Sequence, residues 1–242
     1  MHAGGAVAPA GALGMTLIRN GQRTVQVQPT PRDWPHATSL RNIIQFGLPQ
    51  AGLSEEVNRW RRANMRHLWR GAKHVIAAQR LGIPTHYGAL FGTLYRGSGE
   101  VVHLGLMSLR VVTDAGVGYI VDAFQNTVEL ENMKYHGYGT GSTAEAAGDT
   151  ALVTELTTEY ATDNVRPTGT TIEGATANIF RTVATLSPNS GGTIALREHG
   201  VFSQAAVAGG VMLDRTVYAV VNVTASADSL QTTYDFTLTS GS

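Results

Sequence analysis

The longest clean alternation of apolar and polar positions lies at residues 193–239. In its last run Leu230, Thr232, Tyr234, Phe236 and Leu238 share one parity, and Gln231, Thr233, Asp235, Thr237 and Thr239 take the other. Successive side chains of a strand point to opposite faces, so this run reads as a half-buried strand with one wet face. The run at 211–223 sets Val211, Leu213, Val217, Ala219, Val221 and Val223 against Asp214, Thr216, Tyr218 and Asn222, and a third run spans 194–202. Ala208-Gly209-Gly210 and Ala225-Ser226-Ala227-Asp228 supply turns between them. The pattern predicts three consecutive antiparallel strands.

Upstream, strands are predicted at 87–95, 101–113, 117–126, 128–138 and 178–186, with Asp114-Ala115-Gly116 as a turn between the second and third. Residues 144–160 break the pattern, with a short helix around 151–156, and 161–175 form a Thr/Gly-rich loop. Seven or eight short strands make the chain mainly β, an antiparallel β-sandwich or jelly-roll-like domain over 83–242. One amphipathic α-helix precedes it at 54–82. Ser54 is its N-cap, Glu55 and Glu56 occupy its first turn, and Gly82 with Pro84 stops it. Val57, Trp60, Met65, Leu68, Trp69, Ala72, Val75 and Ile76 fall on one face and arginines crowd the rest. Residues 1–53 read as a flexible tail and an extended arm. A short strand is predicted at 24–28, and Pro29, Pro31, Pro35 and Pro49 disfavour helix while Trp34, Ile43, Ile44 and Phe46 anchor the arm to its own β domain or to a neighbour.

The absence of cysteine removes disulfides, thiolate metal sites and a cysteine nucleophile. Net charge is zero but unevenly placed. Residues 1–100 hold 12 Lys and Arg against 4 Asp and Glu, a net of +8, and residues 101–242 hold 6 against 14, a net of −8. Either the N-terminal part meets an acidic partner or the two halves complement each other. No run of about 18 apolar residues suggests a membrane span. The first residues lack the charged and Leu-rich regions of a signal peptide, and Met15 is an alternative start.

Candidate chemistry is thin. Arg59, Arg61, Arg62, Arg66, Arg70 and Lys73 give the helix a basic face, but no nucleic-acid-reading motif accompanies it, so an acidic protein partner is the preferred reading. Trp34, Phe46, Trp60, Arg62, Arg66, Trp69 and Arg70 are the protein-interface candidates, being types enriched at binding hot spots or anchors of the arm. The eight histidines form no metal motif. The glycine-rich stretch at 137–143 lacks the Gly-Lys-Ser/Thr ending that cradles phosphates. No nucleophile elbow appears, the carboxylates are too dispersed to nominate a glycosidase pair, and neither an enzyme nor a cofactor is expected. Glu198 reads as a structural ion pair or turn anchor. Tyr135, Tyr138, Tyr160 and Tyr218 are the aromatics that a glycan-binding sandwich would expose.

One resemblance emerges. Tyr138-Gly139-Thr140-Gly141-Ser142-Thr143-Ala144 followed by Gly148-Asp149-Thr150-Ala151-Leu152 resembles a "GTGTT…GDTAL" block of structural proteins from tailed bacteriophages. The block Arg197-Glu198-His199-Gly200-Val201-Phe202, the block Gly209-Gly210-Val211-Met212-Leu213-Asp214-Arg215 and the Thr-rich run at 231–239 follow in the same order, with His199 in place of a small residue. The resemblance covers roughly residues 130–240. It implies a virion component, on the capsid exterior or in the tail, and says nothing of catalysis. The expected role is a capsid decoration (cement) protein bound to the major capsid protein, with a neck, tail or baseplate protein as the alternative, and a carbohydrate-binding host-attachment sandwich as a reading of another class. A homo-oligomer, a trimer foremost, is expected in such a role.

Overall fold

The structure, a computed structural model, describes residues 15–19, 22–27, 40–160, 163–173 and 176–240. The expected tail at 1–14 and the candidate Trp34 lie outside these residues. Two strands, β1 (Met15–Arg19) and β2 (Gln22–Val27), pair antiparallel, and β2 covers most of the strand expected at 24–28. Two helices follow, α1 (Leu40–Gln45) and α2 (Glu55–Arg80). The remaining elements are β3 (His86–Tyr95), β4 (Val101–Val111), α3 (Asp114–Phe124), a 3-10 turn at Leu130–Asn132, β5 (Tyr135–Gly139), β6 (Thr170–Glu173), β7 (Ile179–Leu186), β8 (Thr193–Phe202), β9 (Met212–Thr224) and β10 (Ser229–Leu238). Beyond the first hairpin, eight strands form two antiparallel sheets, of order β4-β3-β10-β7-β6 and β5-β8-β9. The chain is mainly β, and the two sheets pack face to face in a sandwich-like arrangement. Leu90, Leu94, Leu186, Leu230 and Tyr234 of the first sheet meet Tyr138, Leu196, Val201, Val221 and Val223 of the second in one core.

The three C-terminal runs are strands, but not one sheet. β8 pairs with β9, whereas β10 crosses to the centre of the larger sheet between β3 and β7. The connection at 225–228 is therefore a corner between sheets. Asp228 fixes it, accepting from Gly97 N at 2.9 Å, Thr224 N at 3.0 Å and Arg96 at 3.1 Å. A central position also removes the expected wet face of β10. Thr233, Asp235 and Thr237 are buried as well as Leu230, Thr232, Tyr234 and Phe236, and Asp235 pairs with Arg181 through two contacts of 2.6 Å.

The expected strand at 117–126 is helix α3. Thr113 caps it by accepting from Gly116 N at 2.9 Å, while its own hydroxyl donates to Met212 O at 2.7 Å. The Thr-Asp start is a helix signal that Asp114-Ala115-Gly116 disguised as a turn. Of the strand expected at 128–138 only the end survives, as β5 after the 3-10 turn. The short helix expected at 151–156 is absent: those residues form turns and a single bridge, Gly139 to Glu155. The loop expected at 161–175 contains the edge strand β6. The expected extended chain at 40–53 is partly helical, and Leu40, Ile43 and Ile44 of α1 are buried with Leu68, Ala72 and Val75 of α2 and Phe91, Leu106 and Leu109 of the sheet. That part of the arm packs on its own chain.

Helix α2 begins where its cap predicts, with Ser54 Oγ accepting from Val57 N at 3.3 Å. It lies across β4 and β9, the outer strands of the two sheets on one side. Exposed strand edges invite unwanted pairing. Here side chains of α2 cover them: Asn64 Nδ2 donates to Met107 O of β4 at 2.7 Å, and Asn64 Oδ1 accepts from Ala219 N of β9 at 2.8 Å. Arg61 donates to Leu104 O and Leu48 O, both at 2.9 Å, and its burial pulls the guanidinium down to about 10. Gly71 sits against the Leu109 carbonyl so closely that a Cβ has no room.

Candidate functional site

The residues that carry the resemblance are far apart in sequence and meet in space. Glu198 on β8 is fully buried. Its carboxylate accepts from Gly141 N at 3.1 Å, Val153 N at 3.1 Å and Thr154 N at 2.7 Å, and it pairs with Arg215 of β9 at 2.8 Å. Arg215 also donates to Asp149 at 3.0 Å and to Thr143 O at 3.0 Å. One carboxylate and one guanidinium thus hold the whole segment 139–154 against the smaller sheet. Gly139 and Gly141 are small for this reason, because a Cβ at either position would strike Glu198. The expected structural role of Glu198 is the one observed. A register irregularity between Leu196 and Glu198 lets Leu196 and His199 both reach the sandwich interior, while Glu198 turns to the segment 139–154.

A second lock went unseen in the sequence. Arg166, in the stretch expected to be loop, is 1% exposed. It grips Glu155 through Nε and Nη2, donates to Gln204 O at 3.0 Å and Gly209 O at 2.7 Å, and stacks 3.5 Å above the Phe202 ring. A lone arginine in a Thr/Gly-rich stretch has no periodic pattern to announce burial.

Between the sheets lies a polar cluster that is closed to solvent. His136 Nδ1 stands 3.0 Å from His199 Nε2 and 3.0 Å from Thr232 Oγ1, and its Nε2 stands 3.3 Å from Thr182 Oγ1. Tyr138 OH meets Thr232 Oγ1 at 2.7 Å. Arg110 and Asp214 form an ion pair at 2.9 Å, with Tyr234 against the same carboxylate. Burial pulls His136 down to about 3 and His199 well below the usual imidazole range, the latter reinforced by His136 and Arg110. Burial also raises Asp214, against the opposing pull of Arg110. The histidines are neutral hydrogen-bonding groups here. Tyr138, Tyr160 and Tyr218 are buried too, so three of the four aromatics considered for glycan stacking offer no platform, and Tyr135 is half-buried beside Leu152 and Phe202.

The interface candidates divide by position. Trp60 is partly buried against the main core and donates to Ala219 O and Val220 O, both at 3.1 Å. Phe46 packs on the smaller cluster. Arg70 pairs with Glu145 at 3.0 Å at the rim of a cavity of about 300 Å³, also lined by His74, Thr113, Arg110 and Arg215. Arg62 is exposed and paired with Glu55 at 2.7 Å, and Arg66 is exposed beside His67. Trp69 is 41% exposed and lines a groove of about 560 Å³ between α1 and α2, together with Arg41, Ile44, Leu48, Ile76 and Arg80. The structure brings Trp69, Arg66 and Arg62 onto the accessible side of α2 and assigns Trp60 and Phe46 to packing.

Among the described residues no group of three or more His, Asp or Glu is placed to hold a metal ion, and no helix is long and apolar enough to cross a membrane. No family model matches the chain, and neither a curated protein nor a solved structure matches it.

Proposed function

We propose that the protein is a non-enzymatic structural component of a tailed-bacteriophage virion, a capsid decoration protein that binds the major capsid protein. The observation that supports this reading is the Glu198–Arg215 lock. The separate blocks that resemble phage structural proteins contribute Gly141, Asp149, Glu198 and Arg215, and these residues close on one another. In this reading the sandwich is a rigid body, and the exposed side of α2, with Arg62 and Arg66, turns toward the shell. Its basic character suits an acidic protein surface.

Quantitative mass spectrometry of purified virions tests the reading. A copy number in simple ratio to the major capsid protein is the expected result. A count matching a single ring moves the protein to the neck, tail or baseplate, and its absence from virions overturns the proposal.

A further inference from the structure

Helix α3 carries two apolar stripes. Gly116 and Tyr119 are buried and Ile120 packs on the main core. Val117, Val121 and Phe124, at spacings of four and three, form a second stripe that nothing covers among the described residues; they are 38%, 48% and 85% exposed. It is the grouping of three exposed apolar side chains on one face, rather than any one of them, that marks a contact surface. Acids surround it. Residues 114–134 contain Asp114, Asp122, Glu129 and Glu131, all exposed, against a single basic residue, Lys134. None of these four carboxylates forms an ion pair among the described residues.

The groove between α1 and α2 has the opposite character. Its floor is apolar, with Ile44, Leu48, Trp69 and Ile76, and its rim carries Arg41 and Arg80. Residues 57–80 hold seven Lys and Arg and no acid. At about 560 Å³ the groove is large enough for an aromatic side chain and its neighbours.

We infer that this acidic, Phe124-tipped stripe of α3 docks in the basic, Trp69-lined groove of a second copy of the chain. A chain does not fill its own groove in this way. The groove opens on the α1 side of α2, whereas Thr113, the cap of α3, lines a cavity with Gly71 and His74 on the other side of that helix. Two different surfaces in contact make a head-to-tail interface, which generates a ring or an open chain of subunits. The inference stands on charge and shape, and holds or fails independently of the virion reading.

The test is sedimentation of the full-length protein across a concentration series at low and high salt, with three variants. Phe124→Asp and Val121→Lys damage the stripe, and Arg41→Glu combined with Arg80→Glu damages the groove rim. All four positions are solvent-exposed, so unchanged thermal melts confirm folding. The wild type is expected to self-associate, more weakly at high salt, and each variant to associate at least ~10-fold more weakly. Mixing Phe124→Asp with the double arginine variant leaves one intact stripe and one intact groove, so 1:1 dimers are expected from the mixture alone. A wild type that stays monomeric at about 100 µM, variants that assemble like the wild type, or a mixture that stays monomeric overturns the inference. So does association that appears only after residues 1–39 are removed, because the chain's own terminus then holds the groove.

Discussion

Replacing Glu198 with alanine is the most informative single change. The side chain is fully buried and supports three backbone amides and one guanidinium. Removing one partner of a buried ion pair costs about 3–5 kcal/mol, and the stranded buried amide of Gly141 adds about 1 kcal/mol at the low end of its range, while water can reach the amides of the exposed residues Val153 and Thr154. Arg215 keeps Asp149, which is a quarter exposed, and water reaching that side relieves part of the cost. The expected loss is therefore about 4 kcal/mol, a thousandfold in the folding equilibrium and a large share of the roughly 5–15 kcal/mol that holds a domain. Glu198→Gln keeps the shape and one acceptor oxygen and should lose about half as much. Denaturant titration measures both, and hydrogen exchange locates the effect, with protection falling first at Gly141, Val153 and Thr154. A Glu198→Ala loss below about 1 kcal/mol, or unchanged protection at those amides, would refute the lock.

Three further outcomes follow from the same structure. Because burial depresses His136 and His199 in the folded state, the unfolded chain binds their protons first; stability is full above about pH 6.5 and falls by about 1.4 kcal/mol per pH unit for His136 as pH drops toward 3, with His199 acting in the same direction. Asp214 is raised and acts in the opposite sense, offsetting part of that loss at the acid end, and a His136→Gln variant should flatten the slope of denaturant stability between pH 6.5 and 4.5 if it folds, with tryptophan fluorescence as the readout. Gly71→Ala, which in an ordinary helix gains about 1 kcal/mol, should instead lower the melting temperature, since the new methyl meets the Leu109 carbonyl; a stabilised variant contradicts the packing of α2 on β4. Asn64→Ala strands Met107 O and Ala219 N and should cost about 2–4 kcal/mol, measured by the same titration, whereas a neutral result would mean that α2 does not bind both edges.

What the sequence disclosed depended on whether local pattern or tertiary contact decided the element. Helix α2 was legible to within two residues, because Ser54, Glu55, Glu56 and Gly82 are local signals. The strands at 87–95, 101–111 and 179–186 were legible from alternation. Helix α3 was not, because a short apolar run such as Val117-Gly118-Tyr119-Ile120-Val121 fits either period, and its cap is fixed by Met212 and Leu213, about a hundred residues away. The partition of the last three runs between two sheets was equally hidden. Alternation gives the faces of a strand but not its neighbours, and the corner depends on Asp228 meeting Arg96 and Gly97. Of the surface residues, Trp60 and Trp69 looked alike in sequence. The indole of Trp60 reaches the carbonyls of β9 while Trp69 opens on the groove, and nothing in their spacing of nine distinguishes them.

The placement of α2 gives its surface a consequence beyond charge. Asn64 joins the edges of both sheets, and Trp69, five residues on, lines the groove. A partner bound on this helix therefore bears on the sandwich as a whole and not on a loop that can yield. The same holds at α3, whose cap Thr113 is bonded to Met212 and Leu213 of β9, the strand that carries Asp214 and Arg215. Helix α2 rests on β4 and β9, and α3 rests on β9, so the two proposed contact surfaces share that strand. Strain applied at either surface passes through two short, saturated hydrogen-bonded links rather than through mobile chain, so an assembly built on them loses little free energy to internal give.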